Sequence, residues 1–83
     1  MVNTMETSIF TDKRVNRDIT MGKCNSICVE YANKVTGQHR AFGAGEMTYD
    51  NYTSTSWKRD RFDIQVKVIL DFNLHSVTVE TKA

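Results

Sequence analysis

A small, mainly β fold, an antiparallel meander of four to five strands closed as a small sandwich or open barrel, is what this sequence predicts. Three observations carry the prediction. Over 62–72, Phe62, Ile64, Val66, Val68, Leu70 and Phe72 fall on every second position, with Asp63, Gln65, Lys67 and Asp71 among the residues between. Successive strand side chains point to opposite faces, so this alternation describes a strand with one apolar and one wet face, as in an antiparallel sheet. A tight turn then leads into a second alternating run at 77–82. Finally, the chain has no proline, so its bends fall to Gly, Asn, Asp and Ser.

The elements follow in chain order. Residues 1–11 hold Ile9 and Phe10 as their only adjacent large apolar pair, and read as an edge strand or as a flexible arm that docks on the sheet or on a partner. Ile19 and Met21 alternate with polar neighbours, which predicts a short strand at 17–21 turned by Gly22. Residues 24–36 admit two readings. Ile27, Cys28, Tyr31, Ala32 and Val35 form a helical stripe, with Ser26 as a cap and Gly37 at the end. Ile27, Val29 and Tyr31 also alternate among β-branched and aromatic neighbours, and 33–37 resembles a hairpin connection with Gly37 left-handed. The strand, at 27–32, is the favoured reading; a single short helix at about 24–36 is the alternative. A partner strand is expected at 38–47, with Phe42 and Met47 as its large apolar residues, weakened by Gly43 and Gly45, which mark a bulge or a place where another backbone or a ligand comes close. Residues 48–58, rich in Tyr, Thr, Ser and Asn, read as a long loop. In the last hairpin, pairing Phe72 with Val77 sets Leu70 opposite Val79 and Val68 opposite Thr81, which brings the apolar faces together.

Eighty-three residues make one domain, 1–83, with one small core. Hydrophobic residues at 40% and charged residues at 25% are ordinary globular usage and argue against disorder. A net charge of +1 provides no global field toward nucleic acid or an anionic membrane. No apolar run approaches the roughly 18 residues of a membrane span and the N-terminus lacks a signal-peptide core, so a soluble, cytoplasmic protein is expected.

No motif of enzymatic grade is present: no nucleophile elbow, phosphate-cradling loop or metalloprotease helix. The expectation is a protein that is not an enzyme, with no catalytic residues, no cofactor and no metal. Cys24, Cys28, His39 and His75 are all the Cys and His of the chain. Four such residues could hold zinc, but a matching pair of histidines is missing, and on a strand the two cysteines would stand about 13 Å apart. Buried structural thiols are the expected role.

Two surfaces stand out instead. Tyr49, Tyr52, Trp57, Lys58, Arg59 and Arg61 put aromatic and basic groups in one stretch. Tyr and Trp give large contact area at low entropy cost and Arg is a favoured hot spot, so this is the candidate partner-binding site. The competing structural role is that Trp57 folds back over the apolar face while the charges solvate the loop. The same set, with Arg40 and Phe42, is the candidate contact for single-stranded nucleic acid. Arg40, Phe42 and Gly43 give 36–47 a partial resemblance to the third-strand signature of RNA-recognition motifs, whose aromatics stack on bases. Ala41 and Ala44 depart from it, and the residues before the hairpin are too few for that fold's first strand and helix. The resulting expectation is a non-enzymatic protein-interaction or assembly module that binds a protein or self-associates as a homo-oligomer. An accessory protein of bacterial or phage type, acting as an inhibitor or structural component, fits that description. Single-stranded nucleic-acid binding is the alternative.

Overall fold

The computed structural model describes residues 5–37, 45–57 and 64–82. Among these residues five antiparallel strands form one open sheet and a single helix packs on one of its faces. In chain order these are β1 (Met5–Thr11), α1 (Met21–Thr36), β2 (Glu46–Met47), β3 (Asn51–Trp57), β4 (Gln65–Asp71) and β5 (Ser76–Lys82). The spatial order is β1-β5-β4-β3-β2, so the N-terminal strand closes onto the C-terminal one and β4 lies in the middle. No helix among the described residues is long and apolar enough to cross a membrane.

The strand predicted at 62–72 is this central one. Val66, Val68 and Leu70 are fully buried on one face, and Phe72 lies just past the strand's end, also buried. Across the ladder they meet Val77 and Val79 of β5 and Tyr52 of β3, all without exposure. Cys24, Ile27, Cys28, Tyr31 and Ala32 of α1 close over this row. Ile27 and Tyr31 thus supply the cover that the apolar strand requires, within the chain.

The helix overturns the favoured strand at 27–32. Its buried residues follow the 3.6-residue stripe, while Val29, which the alternating pattern would bury, is only half-buried. The start lies a turn and a half earlier than the stripe suggests, and the predicted strand at 17–21 is replaced by a turn leading into it. Thr20 is the N-cap: its backbone is extended and its Oγ1 accepts from Lys23 N at 3.2 Å. Ser26 lies inside the helix and donates to the Gly22 carbonyl. Gly37 is left-handed as expected, at φ 70°, but as a helix C-cap donating to Asn33 O at 2.7 Å. Good caps and a sheet that needs a second layer outweigh the small strand preference of Val and Ile.

Residues 48–58, read as a loop, are the second correction. Thr48 to Asn51 make a tight turn, with Thr48 N–H on Asn51 O at 2.7 Å, and β3 follows at once. Its pattern is alternating but disguised by small residues: Tyr52 and Ser54 point under the helix while Thr53 and Thr55 face out. The strand expected at 38–47 survives as Glu46–Met47, which pairs with β3 instead of 27–32; residues 38–44 lie outside the described set. At Gly45 the close neighbour is a side chain and neither backbone nor ligand, for a Cβ there would run into the Tyr52 phenol.

The last hairpin forms two residues out of the expected register: Leu70 faces Val77, Val68 faces Val79 and Val66 faces Thr81. The four-residue turn lies at 72–75, where the expected pairing of Phe72 with Val77 had it at 73–76. Asp71 Oδ1 accepts from the N–H groups of Asn73 and Leu74, each at 3.0 Å, and His75 adopts φ 51°. A slip of two keeps every side chain on its face, so the hydrophobic pattern cannot distinguish the two registers.

Candidate interaction surface

One face of the sheet lies under α1; the other has no described element over it. The pairing registers define its rows. Thr7, Glu80, Lys67 and Thr55 stand side by side across β1, β5, β4 and β3. The next row is Ile9, Thr78, Ile69 and Thr53. The face is therefore a threonine-rich surface on which Lys67 stands opposite Glu80, with Ile9 as its most exposed large apolar group at 71%. At one end a half-open depression of about 160 Å³ is lined by Met5, Thr55, Gln65, Lys67, Glu80 and Lys82.

The two sheet edges differ. β2 is two residues long and carries Glu46, a short edge of the kind that resists adding a further strand. β1 runs seven residues, Met-Glu-Thr-Ser-Ile-Phe-Thr, fully in register with β5 and without a bulge. Asp12 N–H donates to His75 O at 2.8 Å, continuing the β1–β5 ladder. Inward and outward hydrogen-bonding positions alternate along an antiparallel strand, so Met5, Thr7, Ile9 and Thr11 turn their N–H and C=O groups away from β5. No described element pairs with them.

Two polar clusters hold the end of the sheet at which Thr11, Ser76, Asp71 and Asn51 align. Asp12 accepts from Arg14, with the closest contact at 2.6 Å, and from the Tyr31 hydroxyl at 2.8 Å; Arg14 also reaches Glu30 at 2.9 Å. The Arg14 guanidinium holds the Asp12 carboxyl well below the usual carboxylate range. Burial, followed by the bond to Asp12, raises the Tyr31 phenol. In the second cluster Arg17 joins Asp50 and Asn73, and lies 4.3 Å from the centre of the Tyr49 ring while donating to its hydroxyl at 2.6 Å.

The sequence-predicted site residues separate. Tyr49 is exposed, at 78%, and is held by Arg17. Tyr52 is fully buried beneath α1, its hydroxyl on Asn25 Oδ1, so it offers a partner no surface, and burial raises its phenol. Tyr49 and Tyr52 are joined by one hairpin yet belong to opposite environments, because the segment is a strand and not a loop. Trp57 ends β3 opposite Gln65. Lys58, Arg59 and Arg61 lie outside the described residues, as do Arg40 and Phe42 of the nucleic-acid alternative. The shortage of residues invoked against an RNA-recognition fold does not hold, since a strand and a helix both fit before residue 38.

Cys24 and Cys28 are not 13 Å apart on a strand but neighbours on one helix face, both without exposure. Burial raises both thiols, that of Cys28 to about 12. His75 is engaged elsewhere, with Nδ1 2.8 Å from Val15 O. Among the described residues no group of three His, Cys, Asp or Glu is placed to hold a metal. Buried Ser54 Oγ has no hydrogen-bond partner of good geometry among them.

Comparison of the chain with protein-family models, with curated proteins and with solved structures finds no match. The residues that sequence reasoning underweighted are Thr7, Ile9 and Thr11. Their signal was the edge-strand reading of 1–11 and its exposed Ile9.

Proposed function

We propose that this protein is a non-enzymatic interaction module that binds protein by adding a strand to the outer edge of β1. The observation that carries the reading is that edge: seven residues of regular strand whose outward N–H and C=O groups have no partner among the described residues. An edge without proline, bulge or lysine is a template for another strand. Main-chain hydrogen bonds supply the affinity in such complexes, and exposed Ile9 and Met5 beside the edge supply apolar contact. A protein partner is favoured over single-stranded nucleic acid because the edge offers main-chain donors and acceptors, and both described arginines, Arg14 and Arg17, are engaged by carboxylates.

Proline at an outward-facing edge position removes one donor and leaves the β1–β5 ladder intact. Thr7→Pro therefore separates edge binding from folding. Affinity capture with the immobilised full chain is expected to recover bound protein with wild type and to lose it with Thr7→Pro. Recovery of the same proteins by both would overturn the reading. Binding of single-stranded oligonucleotide that falls steeply with salt would also overturn it.

A further inference from the structure

We infer that the strand added to β1 is β1 of a second copy of this chain, antiparallel about a two-fold axis through Ser8, joining two sheets into one of ten strands. The inference rests on strand addition at β1 and names its occupant.

The pairing geometry selects the register. Both copies must use the outward positions Met5, Thr7, Ile9 and Thr11, and an axis centred on a residue of the strand keeps both helices on the same face of the joined sheet. Among such axes, the one through Ser8 is the one that pairs all seven residues. Met5 then faces Thr11 of the second copy and Thr7 faces its Ile9, as hydrogen-bonded pairs. Glu6 faces Phe10 of the second copy, and the two Ser8 residues face each other.

Three observations fit this occupant. The strand carries one charge, Glu6, and the register keeps the two Glu6 side chains at opposite ends, so no like charges meet. Phe10, which each Glu6 would face, already has a cation above it: Lys34 Nζ lies 5.2 Å from the ring centre. Lys34 makes no ion pair among the described residues, and the second copy would bring Glu6 to it on both sides of the axis. On the open face, Ile9 lies diagonal to Ile9 and to Met5 of the second copy, within reach across a ladder. The two large apolar side chains that β1 leaves most exposed, Ile9 at 71% and Met5 at 64%, would thus cover each other.

The test is the oligomeric state of the full chain by light scattering and sedimentation across concentration. Variants Thr7→Pro, Glu6→Lys, Lys34→Glu and the double reversal are compared, with folding checked by circular dichroism. A wild-type dimer is expected. Each single reversal should weaken it by roughly fivefold, two exposed ion pairs being lost, and the double reversal should restore it. Thr7→Pro should weaken it by roughly tenfold or more through lost ladder bonds. A wild-type chain that stays monomeric overturns the inference, as does a dimer indifferent to Thr7→Pro and to both reversals. A monomer that still captures another protein, and loses it with Thr7→Pro, overturns self-pairing alone. A monomer that captures nothing overturns strand addition as well.

Discussion

Asp12 shows how much one polar side chain decides at the junction of strand, turn and helix. It receives Arg14 and the Tyr31 hydroxyl together, tying the end of β1 to the middle of α1. The same contacts hold its carboxyl below its ordinary value of 3.8, the Arg14 hydrogen bond being the largest cause. A depressed folded value means that the contribution to stability is complete above the unfolded value and is lost as pH falls below it. Asp12→Asn is therefore expected to cost about 1–2 kcal/mol near neutral pH, the scale of hydrogen bonds to a charged group. The difference in unfolding midpoint between wild type and variant should shrink as pH falls from about 4 toward 2. Urea titrations at several pH values check this, and a constant difference would contradict the assignment. Tyr52 teaches the reverse lesson at the same scale. Its type suggests a contact surface, and only its place on β3, opposite Leu70, makes it core.

At the scale of the element, α1 is where local and tertiary preferences compete. The apolar positions 27, 28, 31, 32 and 35 were readable as a helical stripe, yet 27, 29 and 31 read equally as a strand. What separates the readings is the turn at the beginning, since Thr20 captures the Lys23 N–H and Met21, Gly22 and Lys23 become the first helical turn. Thr20→Ala should cost about 1 kcal/mol, measured as a lowered denaturation midpoint with an unchanged urea slope. β3 was illegible for a different reason. Hydrophobic periodicity is the signal for a strand, and β3 carries its alternation in burial over 51–55 and hardly at all in hydrophobicity. Ser54 is fully buried below the helix, where a pattern search for large apolar residues finds nothing.

At the scale of the molecule, the described residues make a sheet with one face under α1, one face with no described element over it and two unequal edges. β4 lies between β3 and β5 and directly beneath α1, so opening it requires the whole structure to open; no described strand lies beyond β1 or β2. Amide hydrogen exchange should be slowest at Val66, Val68, Leu70, Val77 and Val79, approaching the global unfolding free energy, and faster by orders of magnitude at the outward amides of Thr7 and Ile9 in the isolated chain. Strong protection of Thr7 and Ile9 that grows with protein concentration would be the signature of pairing at β1.

From the sequence alone one can read the mainly β class, the wet and dry faces of β4, the strand that follows it and both chemistries of 24–36, with 1–11 left open between an edge strand and an arm. These are properties of period and composition, which act between neighbours in the chain. Tertiary structure decided the rest: that 21–36 is helix, that 51–57 is strand, that the last hairpin slips by two, and that β1 lies against β5. Each of these depends on a partner distant in sequence. A stripe of five apolar residues becomes a helix because a five-stranded sheet needs a second layer, and small hydroxyl residues become a strand because the Val66–Leu70 ladder offers their backbone hydrogen bonds. The first strand becomes an edge for the same reason: β5 satisfies one side of its backbone, and only the assembled sheet shows that the other side faces outward.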